Sequence, residues 1–301
     1  MAPRAALVWP WVLAAACAEA PAAPAKPRPP VCPGPELVVA TYNVRFDTEA
    51  DLEHRWSARR DRVGEQIRAL GADLVGLQEV LAGQLDDLVA RLPGMAHEGV
   101  GRDDGARGGE FAPLFYRVSR FTREEGGTFW LSPTPDRPRG RFEMKPWGTW
   151  QNRIATWLVL RDRTTGRRLL AINTHFDHFS PLARRESARM LVEFAARHPA
   201  DDTVILGDIN AREDSEPHRI LAAALTDAAT AKAVERPASG TSVTVWRALG
   251  APHHHVDHVF VSGSLGPWSY QVIDRRFRYS GEDLYPSDHL PVRVRLCVRS
   301  G

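Results

Sequence analysis

Short apolar segments recur along the whole chain, and their length is the strongest constraint on its fold. The first, Leu37-Val38-Val39-Ala40, leads into Thr41-Tyr42-Asn43. Runs this short, rich in valine, isoleucine and leucine, are typical of buried β-strands, whereas helices need longer periodic segments. We predict strands over residues 37–43, 73–78, 112–116, 128–131, 154–160, 169–174, 203–206, 256–261, 270–273 and 292–298.

Other segments repeat their apolar residues at helical spacing. Residues 56–70 carry Val63, Ile67 and Leu70 on one face, with Ser57 as the expected N-cap and Gly71 as the stop. Further helices are predicted over 84–92, 182–197 and 217–225. Helices separate some strands while other strands follow one another directly, which favours a mixed sheet. The length of 301 residues suits one large α/β domain, predicted over residues 36–301.

The first 35 residues have a different character. Residues 1–17 combine one early arginine, an apolar run and a small-residue stretch before Cys17, which predicts an export signal. The stretch before Cys17 loosely matches a bacterial lipoprotein signal, so we expect either a lipid anchor on Cys17 or simple cleavage at an alanine-rich site. Residues 18–35 are proline-rich and predict a semi-rigid tether. The protein is therefore expected outside the cytoplasm, in the cell envelope or secreted.

The remaining cysteines, Cys32 and Cys297, lie before the first predicted strand and inside the last one. In an oxidising compartment they could form a disulfide that joins the two ends of the domain. Two free buried thiols are the alternative.

The formal net charge of +2 is close to neutral. Proteins that track a long duplex through its phosphates usually carry a larger basic excess. Charge therefore disfavours such a nuclease without excluding other phosphate-bearing substrates.

Polar side chains recur at the ends of the predicted strands, where open α/β sheets place their sites. Each one alone has an ordinary explanation, such as capping a helix or starting a turn. Carboxylate, amide and imidazole groups at so many strand ends favour a functional site instead. The residues are Asn43, Glu79, His175, Asp177, His178, Asp208, Asn210, Asp257, Asp288 and His289.

Several of these residues lie in short motifs that resemble the ordered motifs of the endonuclease/exonuclease/phosphatase superfamily. The motifs are Thr41-Tyr42-Asn43-Val44-Arg45, Leu77-Gln78-Glu79-Val80, Asn173-Thr174-His175-Phe176-Asp177-His178, Gly207-Asp208-Ile209-Asn210, His255-Val256-Asp257-His258 and Ser287-Asp288-His289. The likeness covers about residues 36–299. It implies a deoxyribonuclease I-like α/β (α+β) fold, a four-layer αββα sandwich of two mostly antiparallel mixed sheets flanked by helices. The chain departs from the family pattern at His258, where tyrosine is commoner, and at Ile209, where phenylalanine is.

The resemblance also implies a phosphoester hydrolase that uses Mg²⁺ or Mn²⁺. A hard divalent cation held by one or two carboxylates can neutralise the charge that develops on the phosphoryl group. Glu79 is the first expected metal ligand, with Asn43 and Asp288 completing the shell.

The remaining site residues are assigned to proton transfer and substrate binding. We expect His289 to be the general base, as a neutral imidazole near its usual pKa, oriented by Asp257. Asp208 would orient the attacking water or assist the leaving group, and Asn210 would bond a phosphoryl oxygen. His175 would donate to a non-bridging oxygen or protonate the leaving group. Arg153 would clamp phosphate; a surface charge is the other interpretation.

Two further groups invite a functional interpretation. The triplet His253-His254-His255 could suggest a transition-metal site, but we expect a solvated loop, since side chains alternate along a strand. Trp130 and Trp157 are expected to pack in the core, whereas Trp147 and Trp150 could stack on a base, sugar or inositol ring.

The leading hypothesis is a metal-dependent hydrolase of a phosphodiester or phosphomonoester, expected to act as a monomer without an obligate protein partner. Its substrate could be a nucleic acid, a phospholipid or a sugar phosphate, and an extracellular nuclease is the specific alternative. An inactive binding module on the same fold is a second alternative, but no expected site residue is missing. The loops 47–55, 99–110 and 132–152 are expected to set the substrate.

Overall fold

A computed structural model describes residues 32–140, 142–231, 241–248, 255–262, 265–279 and 281–299. The predicted signal peptide and most of the tether lie outside the described residues. The helices are α1 (Trp56–Ala69), α2 (Ala82–Arg91), α3 (Pro181–Arg197) and α4 (Glu216–Ala224). The strands are β1 (Glu36–Asn43), β2 (Leu74–Gln78), β3 (Met95–Glu98), β4 (Leu114–Arg117), β5 (Phe121–Trp130), β6 (Ile154–Asp162), β7 (Arg168–His175), β8 (Asp202–Asp208), β9 (Thr226–Asp227), β10 (Asp257–Val261), β11 (Leu265–Val272), β12 (Phe277–Tyr279), β13 (Glu282–Leu284) and β14 (Val292–Val298).

The strands form two six-stranded sheets and one small hairpin. The first sheet has the order β11-β14-β1-β2-β4-β3, and the second has the order β5-β6-β7-β8-β10-β9. Each sheet contains one parallel pair at its centre, β1 with β2 and β7 with β8, and all its other pairs are antiparallel. The prediction of mixed, mostly antiparallel sheets is confirmed.

Alternation along β1 shows how the layers form. Leu37 and Val39 belong to a core cluster shared by both sheets, whereas Ala40 and Tyr42 belong to a cluster with α1 and α2. The second sheet packs its outer face against α3 and α4. Because both faces of the central strands are covered, their sequences read as continuous apolar runs. The four-layer αββα arrangement is confirmed.

The helix and strand predictions differ from the structure mainly at edges and ends. β5 begins at Phe121 rather than at residue 128, because its first half carries charged side chains on the edge of a sheet, where Glu124 pairs with Arg161 and Arg168. Ser57 is not the N-cap of α1: the helix begins at Trp56, whose N–H donates to Oδ1 of Asp47 at 3.1 Å.

The strands β3, β9, β12 and β13 were not predicted. They are short, and their polar or glycine-flanked sequences lack the apolar runs on which the prediction rests. Within the described residues, no helix combines the length and the apolar character that crossing a membrane requires.

Cys32 and Cys297 are joined by a disulfide. Cys297 lies in β14, where it is paired with Glu36 at the start of β1. Of the two alternatives left open by the sequence, the structure has the crosslink. It fastens the chain just before the first strand to the last strand.

Reduction of this disulfide should lower stability, because the crosslink closes nearly the whole domain into one loop and restricts the unfolded chain. A Cys297→Ser variant is expected to lose roughly 2–5 kcal/mol of unfolding free energy. Urea denaturation of the wild type with and without dithiothreitol measures this loss. Dithiothreitol should have no further effect on the variant; equal midpoints for wild type and variant would contradict the expectation.

A buried polar network connects α4, β9 and β10 on the side of the second sheet. Nε2 of His218 lies 2.9 Å from Oδ2 of Asp227, and Nδ1 of His258 lies 3.8 Å from the same oxygen. His258 is fully buried, and its Nε2 hydrogen-bonds the carbonyl of Ala211 at 3.1 Å. The position that departs from the family pattern is therefore part of an internal hydrogen-bonded network.

The expectation of a solvated histidine loop is wrong for His255. This side chain is buried, its Nε2 hydrogen-bonds the hydroxyl of Tyr270, and its ring lies edge-on to His258. The strand β10 begins just after it and draws it into the core. His253 and His254 lie outside the described residues.

Asp227→Asn should destabilise the protein by about 3 kcal/mol, because it removes the charge that holds His218 and faces His258 inside the protein. Burial opposes the charge of Asp227, but the hydrogen bond with His218 and the nearby ring of His258 outweigh it and hold the pKa of Asp227 below the usual range. This contribution is present at pH above about 4 and is lost as the pH falls through the depressed pKa. Asp227 in turn raises the pKa of His258, although burial acts in the opposite direction. The stabilisation linked to His258 is therefore lost as the pH rises through this raised pKa.

Chemical denaturation of wild type and Asp227→Asn between pH 3 and 9 tests this expectation. The difference in unfolding free energy between wild type and variant should be largest in mildly acidic solution and smaller at both ends of the pH range. A difference independent of pH would show that the pair contributes by packing alone.

Candidate active site

The carboxyl ends of the two central parallel pairs meet at one edge of the sandwich. β1 and β2 present their ends from the first sheet, and β7 and β8 present theirs from the second. β10 runs antiparallel to β8, so its first residue, Asp257, lies opposite Asp208. The predicted site residues at or beside this edge are Asn43, Glu79, Arg153, His175, Asp208, Asn210, Asp257, Asp288 and His289.

Asn43 connects the two sheets at the site. Its Nδ2 donates to Oε1 of Glu79 at 3.0 Å and to Oδ2 of Asp208 at 3.1 Å, while its Oδ1 accepts from the N–H of Arg45 at 3.0 Å. The amide oxygen therefore faces away from the two carboxylates. Asn43 as a metal ligand stays a prediction, and that role requires its amide to turn over.

Glu79 and Asp288 provide hard oxygen donors. Glu79 follows β2 in a left-handed conformation with φ of 61°, and its Oε2 accepts from the N–H of Phe46 at 3.2 Å. Burial raises the pKa of Asp288, and the charge of Glu79 raises it further. The positive charges of His289 and of Arg45, whose Nη1 lies 3.7 Å from Oδ2 of Asp288, act in the opposite direction. Two acidic groups close enough for the charge of one to act on the other fit a hard divalent cation such as Mg²⁺ or Mn²⁺.

His289 is held by Asp257. Its Nδ1 lies 2.9 Å from Oδ2 of Asp257, which also accepts from the hydroxyl of Ser242 at 2.6 Å. Burial disfavours the imidazolium, but the carboxylates of Asp257, Asp208 and Asp288 outweigh it and raise the pKa of His289 well above its usual value. The expectation that the pKa of His289 lies near its usual value is therefore wrong, because three acidic groups surround the ring; its role as general base stays a prediction.

Asp208 lies between two histidines. Its Oδ2 is 3.8 Å from Nε2 of His289 and 3.7 Å from Nε2 of His175. Burial and the charge of Asp257 raise the pKa of Asp208 to about 7. Gly207, with φ of 143°, precedes it; a Cβ there would lie 2.1 Å from the carbonyl oxygen of Thr174, so the close approach of β7 and β8 at the site requires glycine.

His175 has the opposite electrostatic environment from His289. Burial, with Arg153 and Arg102 nearby, lowers the pKa of His175 well below its usual value. Its Nδ1 lies 3.8 Å from Oε2 of Glu110. One imidazole of the site thus favours the neutral form and the other favours the charged form, which is the separation that acid and base roles require.

A small pocket adjoins His175. It is lined by Arg102, Glu110, Phe111, Ala112, Arg153, Ile154 and His175. Arg153 is buried, and its Nε contacts Oδ2 of Asp177 at 3.3 Å, so its interpretation as a surface charge is wrong. Within the described residues, its Nη1 is buried and has no hydrogen-bond partner.

Arg102 and Glu110 were not among the predicted site residues. Arg102 binds the carboxylate of Glu110 with both Nη atoms at 2.8 Å, and Trp130 supports it by donating its Nε1–H to the Arg102 carbonyl. Burial raises the pKa of Glu110. Both residues belong to the loop 99–110, which the sequence marked as a substrate loop, but neither follows a strand.

Asn210 adopts a left-handed conformation with φ of 47°, just after β8. Its N–H donates to Oδ1 of Asp208 at 2.9 Å, and its Nδ2 donates to the carbonyl of Phe176 at 3.0 Å. In this arrangement Asn210 fixes Asp208 and the turn after β7. Its contact with a phosphoryl oxygen stays a prediction.

Known proteins share this fold. The model of the endonuclease/exonuclease/phosphatase family matches residues 40–289. A family protein from Bacteroides thetaiotaomicron is 31% identical, covers 89% of this chain and 99% of its own, and superposes with a TM-score of 0.83. A mannosyl-6-phosphatase from the same organism is also 31% identical, with 86% and 99% covered and a TM-score of 0.80. A Bacteroides vulgatus protein is 33% identical, with 88% and 100% covered and a TM-score of 0.75.

A search of the curated proteins finds no match. The family model covers most of the chain, and the sandwich with its strand-end acids and histidines agrees with it. The chain belongs to the endonuclease/exonuclease/phosphatase family. Members of this family are phosphoester hydrolases and generally depend on a divalent metal.

Removal of the Asp257 charge should lower the pKa of His289, because burial disfavours the imidazolium and fewer carboxylates then oppose that effect. We expect the pKa of His289 in the wild type, measured without added metal, to lie well above its usual value, and the pKa in Asp257→Asn to be clearly lower. Titration of the imidazole ¹³C signals by NMR measures both values. Asp227→Asn is the control and should leave His289 unchanged; an unaltered pKa in Asp257→Asn would rule out the assigned ion pair.

Proposed function

We propose that this protein is a divalent-metal-dependent phosphoesterase that hydrolyses a P–O bond by attack of an activated water molecule. The observation that carries the proposal is the convergence of Asp208, Asp257, His289 and His175 beside the oxygen donors Glu79 and Asp288. Family membership supports the same class of reaction. The arrangement is oxygen-rich, which suits Mg²⁺ or Mn²⁺ rather than zinc.

Glu79 and Asp288 would hold the cation, with Asn43 as a third candidate ligand. A bound divalent cation would neutralise charge on the phosphoryl oxygens and on the leaving oxygen. Phe46 and Arg45 keep these side chains in place through the contacts described above.

Asp208 and His289 would manage the proton of the attacking water. Nε2 of His289 lies 3.8 Å from Oδ2 of Asp208. Asp257 fixes the ring of His289 through Nδ1, so Nε2 would face the reacting centre. We propose that Asp208 takes up the proton of the attacking water, while His289, whose charged form is favoured, acts with it as a hydrogen-bond donor. Asn210 keeps Asp208 oriented through its backbone N–H.

His175 and Arg153 would act on the phosphate. A low pKa keeps His175 neutral at physiological pH, so it can donate one N–H to a non-bridging oxygen without carrying charge. The buried Nη1 of Arg153 is a ready donor for another phosphoryl oxygen. Glu110 lies against the far nitrogen of His175, held there by Arg102.

Among phosphoesters we favour a sugar phosphate. The similar mannosyl-6-phosphatase supports a phosphomonoester of a sugar, and the near-neutral net charge of +2 does not favour a duplex-tracking nuclease. We also propose that the protein is exported, and lipid-anchored if Cys17 is modified. The disulfide between Cys32 and Cys297 supports an oxidising location.

Hydrolysis assays of the full chain test this function. After treatment with EDTA and addition of Mg²⁺ or Mn²⁺, we expect turnover of p-nitrophenyl phosphate or mannose 6-phosphate, with bis-(p-nitrophenyl) phosphate as the diester. His289→Ala should lower kcat by about 10²–10⁴, the range for loss of a general acid or base. Glu79→Gln should raise the metal concentration needed for half-maximal activity.

His198→Ala is a matched control, since His198 stacks on Phe194 at the end of α3, away from the site. It should retain full activity. Turnover of the diester or of DNA alone would assign the nuclease alternative. No metal-dependent turnover of phosphate esters, including nucleic acids and phospholipids, would refute the proposal and favour a binding module.

A further inference from the structure

Two exposed aromatic side chains from different segments touch at the rim of the site. Trp150 is 77% exposed and Phe179 is 57% exposed, and their ring centroids lie 5.0 Å apart with planes inclined by 33°. Single exposed apolar residues are common on proteins, but a contacting pair beside a catalytic pocket marks a contact surface. The pair presents aromatic faces to solvent that neither the core nor the catalytic chemistry uses.

The residues that follow Trp150 and precede Phe179 in the sequence contact the two arginines of the pocket through their side chains. Gln151, next to Trp150, accepts a hydrogen bond from Nη2 of Arg102. His178, next to Phe179, lies with its Nδ1 2.8 Å from Nη2 of Arg153. Because Arg102 and Arg153 both line the pocket beside His175, the aromatic pair flanks the place where the phosphate is proposed to bind.

The segments that carry the rings are fixed rather than loosely attached. Oδ1 of Asp177 accepts from the N–H groups of Phe179 at 2.9 Å and Ser180 at 2.7 Å, directly before α3 begins. The hydroxyl of Ser180 donates to the carbonyl of Trp147, which adopts a left-handed conformation with φ of 58°. A non-glycine residue in this conformation costs free energy that the surrounding contacts must offset, and such residues cluster at functional sites.

We propose that Trp150 and Phe179 form a subsite for the pyranose ring of a hexose phosphate; this inference rests on the proposed function. The negative faces of aromatic rings attract the polarised C–H groups on the flat side of a pyranose. With the phosphate beside Arg153 and His175, the ring of the sugar extends over the rim onto the aromatic pair. The subsite binds the alcohol part of the ester and takes no part in the chemical step.

Steady-state kinetics on three esters test the subsite. Mannose 6-phosphate carries the pyranose ring, glycerol 3-phosphate lacks any ring, and adenosine 5′-monophosphate offers a base instead. Trp150→Ala and Phe179→Ala should each lower kcat/KM for mannose 6-phosphate about three- to tenfold, through KM, which corresponds to the 0.5–1.5 kcal/mol of an aromatic contact. Glycerol 3-phosphate should be affected less than about twofold, and Trp150→Phe should restore most of the loss.

Met144→Ala is the matched control, because Met144 is exposed on the same loop but carries no ring. It should behave as wild type. An equal loss on glycerol 3-phosphate, or an equal loss in Met144→Ala, would overturn the subsite in favour of a general effect on the loop. A loss confined to adenosine 5′-monophosphate would overturn the pyranose assignment.

A binding measurement separates this inference from the proposed function. Saturation-transfer NMR with mannose 6-phosphate should show the strongest transfer to pyranose C–H protons, and Trp150→Ala should remove it while Met144→Ala does not. If the wild type turns over no phosphate ester but shows this pattern, only the proposed function fails. If it hydrolyses esters without transfer that depends on Trp150, only the subsite fails.

Discussion

The site depends on a buried hydrogen-bonded contact between the two sheets. Asn173 in β7 donates through Nδ2 to the carbonyls of Leu77 at 2.8 Å and Pro113 at 3.0 Å, both on the side of the first sheet. Gln78 in β2 donates to Oδ1 of Asn173 at 2.7 Å and to the hydroxyl of Thr41 at 3.0 Å. These groups are fully buried, so breaking one bond leaves an unsatisfied polar atom in the core.

Glycine at position 76 allows this contact, because the two sheets come close there. A Cβ on Gly76 would lie 2.0 Å from Cδ1 of Leu206 and 2.5 Å from Oδ1 of Asn173. The side chains of Leu206 and Asn173, both packed against Gly76, thus fix the distance and the register between the central strands. As a consequence, Asn43 from one sheet reaches Asp208 from the other at 3.1 Å, and a site divided between two sheets becomes a single hydrogen-bonded cluster.

Much of this arrangement could be predicted from the sequence, because the chemistry lies at strand ends. Apolar runs locate the central strands, and the residues after them, such as Glu79 and Asp208, follow directly. The resemblance of the motifs to the family predicts that the strands form two sheets packed as a sandwich. Edge strands such as β3 could not be predicted, because an edge needs no continuous apolar run.

The rest of the site depends on contacts that no local pattern encodes. Arg102 and Glu110 lie in a loop, and their ion pair lines one pocket together with Arg153 and His175, which are distant in sequence. The charged state of His289 is likewise a property of three carboxylates brought together by the fold. Sequence identifies His289 as a titratable group near a carboxylate, but the sign of its shift requires the burial and the neighbours.

The division between strand ends and loops also separates reaction from recognition. The groups proposed to bind metal or move protons lie on the central strands or in the segments that adjoin them, and the contact between the sheets holds them in place. Trp150 and Phe179 stand on loop segments tied to that framework through Gln151 and His178. A change at the proposed ring subsite would therefore alter which ester fits without moving the acids and histidines. This separation accounts for how one family fold can serve phosphoesters as different as sugar phosphates and nucleic acids.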